Sequence, residues 1–102
     1  MKKWTLYIGL NDQQERRQII GTAAARRIAK DVFYEATGGA TISEARGIYQ
    51  HDDGSTVIEN TLRVEVFGAD EVKIRYAVDY LKKAFNQESI AVDCAEVNSV
   101  FM

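Results

Sequence analysis

A chain of 102 residues can build one hydrophobic core and not two, because a domain this small buries only roughly 60 to 70% of the surface its unfolded chain exposes; residues 1–102 are read as a single domain. Apolar residues make up 46% and charged residues 27% of the sequence, ordinary proportions that exclude intrinsic disorder. The 13 basic and 15 acidic residues, net charge -2, are interspersed, which argues against nucleic acid and against a membrane as partners.

Cys94 is the only cysteine, so no intramolecular disulfide is available and a reducing compartment is expected. The apolar run in "MKKWTLYIGLND" stops after Leu10 with no small-residue cleavage site before "QQERR". No apolar stretch approaches the roughly 20 residues that cross a bilayer. A cytoplasmic location is expected.

In chain order, Trp4, Leu6, Ile8 and Leu10 alternate with Thr5, Tyr7 and Gly9, which predicts a strand with one apolar face. Asp12 followed by Glu15 has the spacing of a capping box. Ile20, Ala24, Ile28 and Val32 then recur every four residues, widened by Ala25, Ala29 and Phe33. Together these predict one helix from Gln13 to about Ala36, ended by Gly38 or Gly39 in the left-handed conformation that glycine adopts freely.

"TISEARGIYQ" and "TVIENTLRVEVF" are rich in sheet-forming residues and flank "HDDGS"; an Asp-Gly pair in that position predicts a hairpin. The second run places Ile58, Leu62, Val64 and Val66 on one face and Glu59, Thr61, Arg63 and Glu65 on the other. The first run is less regular, and a bulge near Gly47 is expected to switch its faces. Asp70 or Glu71 opens a second helix with a buried stripe of Ile74, Ala77, Val78, Leu81, Ala84 and Phe85. "SIAVDCAEV" gives a last strand.

The order is βαββαβ. With right-handed crossovers it leads to an α+β ferredoxin-like two-layer sandwich, a four-stranded antiparallel sheet with both helices on one face. The other face is open. Its candidate residues, Tyr7, Glu59, Thr61, Arg63, Glu65 and Asp93, mix an aromatic, a small residue and opposite charges, and are expected to form a self-interface in a dimer or trimer.

The chemical candidates are thin. His51, Asp52 and Asp53 are adjacent in a turn and point in different directions, so a solvated turn is preferred to a metal site. Cys94 lies in an apolar alternation with no basic neighbour in sequence, which predicts a buried structural thiol. Arg16 and Arg27 nearly eclipse each other on the predicted first helix and, with Lys30, are candidates for binding an acidic partner, although acidic neighbours on the same helix favour local ion pairs. No catalytic residue, cofactor or metal site is assigned.

"Gly39-Ala40-Thr41-Ile42" followed by "Gly47-Ile48-Tyr49" resembles the start of the second strand in PII-like signalling proteins, small ferredoxin-like chains that usually form trimers. The resemblance implies a homo-oligomeric binding or regulatory module. It departs from the family at "HDDGS", a short turn where those proteins carry a long partner-contacting excursion, and it lacks a clear phosphate-gripping segment. The alternatives are a small inhibitor or accessory protein docking on a larger protein partner and, third, a small ferredoxin-like enzyme. An acylphosphatase is disfavoured, since Leu10 leads directly into "NDQQERR" with no Gly-rich, arginine-bearing loop.

Overall fold

A computed structural model describes Met1–Met102 as β1 (Lys2–Gly9), α1 (Thr22–Thr37), β2 (Thr41–Gln50), β3 (Thr56–Phe67), α2 (Glu71–Ala84) and β4 (Ala91–Glu96). The strands form one antiparallel sheet in the order β2-β3-β1-β4. The ferredoxin-like arrangement follows from where the large apolar residues fall. Trp4, Leu6 and Ile8 of β1 stand opposite Val66, Val64 and Leu62 of β3, on the face that the helices cover, and all six are buried.

Both helices supply apolar stripes to this layer. Ala25, Ala29, Val32 and Phe33 are buried from α1, and Ile74, Ala77 and Leu81 from α2. Phe85 is also buried, while Ile28, Val78 and Ala84 pack against the cluster partly buried. The Trp4 indole, the one large polar-edged group in the core, donates Nε1–H to the Ala69 carbonyl at 2.7 Å, so its burial leaves no donor unmet. Asp70 caps α2 by accepting from the Lys73 N–H at 3.0 Å, with Lys82 and Lys83 in the last turn, where positive charge suits the dipole.

Three expectations are corrected. The first helix begins at Thr22, not Gln13. Asp12 does cap, but what it caps is a turn: its Oδ1 accepts from the N–H groups of Gln14 and Glu15, its carbonyl accepts from the Arg16 N–H and its own N–H bonds the Arg17 carbonyl. Arg16 takes a left-handed backbone, φ 57°, which no helix interior tolerates, and Asn11 bridges to Gln18. Helix therefore starts only after Gly21. At its other end Gly38, at φ 84°, returns its N–H to the Tyr34 carbonyl as expected.

Second, β2 carries no bulge. Its pairing with β3 runs unbroken from Thr41 opposite Glu65 to Gln50 opposite Thr56. Its irregular polarity reflects its place at the sheet edge, where eight of its ten residues are exposed and neither face must be apolar. Third, Cys94 is exposed. It stands opposite Trp4 on the helix side of the sheet, but β4 is the other edge strand and every one of its residues is exposed.

Leu81 is fully buried between the layers, so Leu81→Ala is expected to cost about 2 to 5 kcal/mol, a large part of the roughly 5 to 15 kcal/mol that holds a small domain folded. Chemical denaturation checks this; a loss below about 1 kcal/mol would place Leu81 outside the core.

Candidate functional site

The open face of the sheet carries the predicted self-interface residues together. Tyr7 lies between Arg63 and Ala91, Thr5 between Glu65 and Asp93, and Gly9 opposite Thr61. Thr61 is buried among its neighbours, whereas Tyr7 is 39% exposed. Glu65 accepts a salt bridge from Lys3 at 2.8 Å and a longer one from Arg63 at 3.4 Å. The Lys3 hydrogen bond, with the Arg63 charge behind it, holds the Glu65 carboxyl below the usual range against a smaller opposing effect of burial.

Where β1 ends, this face deepens into a cleft of about 380 Å³ between the β2–β3 hairpin, the Asn11–Arg16 turn and the segment before β4. Its size lies within the range of small-molecule sites, which run from about 300 to 1,000 Å³. Glu59 forms its floor. The side chain lies over Gly9: a Cβ built there would stand 2.6 Å from the Glu59 Cδ and 2.7 Å from Oε2, so a side chain at position 9 would push the carboxylate out of this place. Oε2 accepts the backbone N–H of Asn11 at 3.0 Å. No lysine, arginine or histidine forms a salt bridge with Glu59.

Aromatic rings flank the carboxylate. Tyr7 and Tyr49 line the cleft, and Tyr49 meets His51 edge-on at 5.6 Å between ring centres. Burial, and then the charge of the neighbouring Glu59, push the Tyr49 phenol above its ordinary 10.0. Asp12 and Glu88 add two more acids to the lining, against a single arginine, Arg16. That arginine is already engaged at 3.5 Å with Asp53 and at 3.3 Å with the Ser55 hydroxyl. The cleft thus presents an acidic, aromatic surface.

The turn that closes the cleft is held by amides. Asn86 donates to the Asp12 carboxylate at 2.9 Å and accepts from Gln13 at 2.9 Å, while Gln87 donates to the Asn11 carbonyl. The Glu15 backbone N–H, then Asn86, hold the Asp12 carboxyl below its ordinary 3.8.

The structure separates the three candidate partner-binding cations. Arg16 sits in the turn at the cleft, whereas Arg27 and Lys30 lie on α1 at the β2 edge, so Arg16 and Arg27 do not share a helix face. The reason is the late start of α1. Sequence reasoning missed the cleft as a site, although Glu59 and Tyr7 were among the open-face residues; the available signal was Gly9, a glycine ending an otherwise well-formed strand pattern.

Two titrations test this geometry. The Tyr49 phenol is expected to ionise above 10.0, and Glu59→Gln to lower its pKa while leaving the contribution of burial; tyrosine titration by NMR reads both, and an unmoved Tyr49 would separate the two groups. Asp53 is held down from 3.8 to about 2, first by the Ser55 hydroxyl and then by the Ser55 N–H. A depressed carboxyl stabilises the fold above its unfolded value and loses that stabilisation as pH falls through its folded value. Ser55→Ala is therefore expected to move the Asp53 titration, followed by carboxyl carbon shifts, up from about 2 toward 3.8 and to flatten acid destabilisation in that window.

Solved structures share this fold. A phage SAM lyase in complex with S-methyl-5'-thioadenosine superposes with a TM-score of 0.68 at 20% identity, over 93% of this chain and 80% of that one. CutA1 from Pyrococcus horikoshii OT3 does so at 0.58 and 14%, over 99% and 87%, and the periplasmic divalent cation tolerance protein CutA from Archaeoglobus fulgidus at 0.58 and 15%, over 99% and 88%. At such identities the likeness is one of fold, and it bears out the ferredoxin-like, PII-like architecture that the sequence implied. No curated protein matches the sequence. Residues 3–101 match the family described as "Protein of unknown function (DUF3574)", and the chain belongs to that family.

Proposed function

We propose that the protein is a homo-oligomeric module whose end-of-sheet cleft binds a small organic cation. The observation that carries this reading is the Glu59 carboxylate, laid over Gly9, anchored by one backbone N–H and lacking any cationic partner. A carboxylate in a partly desolvated cleft attracts positive charge far more strongly than one in water, and the rings of Tyr7 and Tyr49 add the faces that cations favour. The SAM lyase fold likeness supplies a candidate of this class: S-adenosylmethionine is a sulfonium cation with an apolar, stackable base.

The open face supports the homo-oligomeric part of this reading. The open face exposes Tyr7 beside Ala91 and a balanced set of charges, and symmetric contacts of this kind are the commonest way soluble chains associate. A second reading, an enzyme acting on such a sulfonium, is favoured by the better superposition of the lyase, a TM-score of 0.68 against 0.58 for CutA1.

Calorimetry with S-adenosylmethionine and with S-methyl-5'-thioadenosine tests the cleft. The charged compound is expected to bind more tightly than the neutral thioether, with the preference removed by Glu59→Gln; equal affinities in the wild type would overturn the cation reading. Formation of the thioether from S-adenosylmethionine, lost in Glu59→Gln, would select the enzyme. Light scattering is expected to give a dimer or trimer, and Arg63→Glu, placing like charge beside Glu65, to shift it toward monomer with an unchanged circular dichroism spectrum. A wild-type monomer would leave the face to a foreign partner.

A further inference from the structure

On the helix side of the sheet, away from the cleft, a second depression of about 340 Å³ runs between α1 and the start of β2. Ala23, Arg26, Arg27 and Lys30 of α1 line one wall, at the spacing that brings residues to one helix face. Ala40 and Ile42 form the other. Arg26 reaches across to Glu44. Lys30 meets only its neighbour Asp31, at 3.9 Å with both side chains exposed, and Arg27 enters no salt bridge. β2 is an edge strand, so every second residue turns its N–H and C=O outward without a strand to receive them.

We propose that this groove is a docking site for an extended acidic segment of a partner protein, which adds to the free edge of β2 and sets alternate carboxylates against Arg27 and Lys30. Charge complementarity and spacing identify the occupant. Side chains on one face of a strand recur about every 6.6 Å, and the helix rises about 4.5 to 6 Å from Arg26 or Arg27 to Lys30, so acids two residues apart match the two levels of positive charge. Main-chain pairing supplies affinity in such strand addition and the alternate side chains supply specificity. The residues between the acids turn to the opposite, open face of the sheet. A second copy fits poorly: the other free edge, β4, carries Asp93 and Glu96, three residues apart and hence on opposite faces of their strand.

The probe is a fluorescein-labelled peptide of about ten residues alternating glutamate and valine, with a control carrying lysine for glutamate. In fluorescence anisotropy at about 50 mM salt the acidic peptide is expected to bind saturably and the control not at all. Arg27→Glu and Lys30→Glu, both at exposed positions, are each expected to weaken binding about tenfold or more with an unchanged thermal melt. Hydrogen exchange read by NMR is expected to slow at β2 amides only when the acidic peptide is present. Absence of binding, or equal binding by Arg27→Glu, overturns the proposal. So does binding without protection of β2, which would reduce the groove to an anion patch. Protection of β2 in the peptide-free protein that fades on dilution would assign the edge to a second copy and equally overturn it.

Discussion

The helix layer is shorter than the sheet beneath it, and the accessible chemistry of the molecule follows from that mismatch. α1 has 16 residues and α2 has 14, about 24 and 21 Å of helix. β3 has 12 residues, about 40 Å of strand, and the molecule is 45 Å along its longest axis. The helices bury β1 and the second half of β3, where Trp4, Leu6, Ile8, Leu62, Val64 and Val66 are covered. The far end of the hairpin escapes them. Ile48 and Ile58 stand opposite each other on the covered side of the sheet, yet are 72% and 57% exposed. The protruding hairpin is what gives the cleft its outer wall, through Tyr49, His51 and Val57.

The cleft needs an inner wall too, and the segment between β1 and α1 provides it by not being helical. Had Gln13 begun the helix, Asn11 would have lost the geometry that directs its N–H to Glu59, and Arg16 could not reach Asp53 on the hairpin. The turn is stabilised from three sides: Asp12 bonds within it, Asn86 and Gln87 grip it from the end of α2, and Arg16 ties it to the hairpin. Each contact is modest, as exposed ion pairs and neutral hydrogen bonds are. They converge on a segment of few residues, so the carboxylate below it is held against a fixed backbone group.

The element order, the existence of the hairpin, the second helix with its Asp70 cap and most of the core were legible in the sequence because they rest on periodicity and turn chemistry, which each segment carries within itself. What was not legible depends on partners distant in the chain. Asp12 and Glu15 have the spacing of a capping box, and nothing local distinguishes a cap that starts a helix from one that closes a turn; the deciding contacts come from Asn86, 74 positions away. Cys94 alternates as a buried residue would, and only the strand order shows that its strand lies at an edge. Glu59 was legible as an open-face residue, but its carboxylate owes its position to the missing side chain of Gly9, on a strand that pairs with it only after folding.

The near-zero net charge conceals two regions of opposite sign. Asp12, Glu59 and Glu88 outnumber Arg16 in the cleft, and Arg26, Arg27 and Lys30 outnumber Glu44 at the groove. Summed over the chain these nearly cancel, and their interspersion in sequence made each appear as ordinary surface. Folding sorts them, because the sheet separates its two faces: Glu59 and Tyr49 lie on the open side, while Ile42 and Glu44 of the same hairpin turn toward the helices. Alternation along a single strand is enough to send its neighbouring residues to surfaces of opposite charge. A composition that argues against nucleic acid and membranes therefore says nothing against smaller, local charge recognition, where a few residues within a Debye length decide the sign.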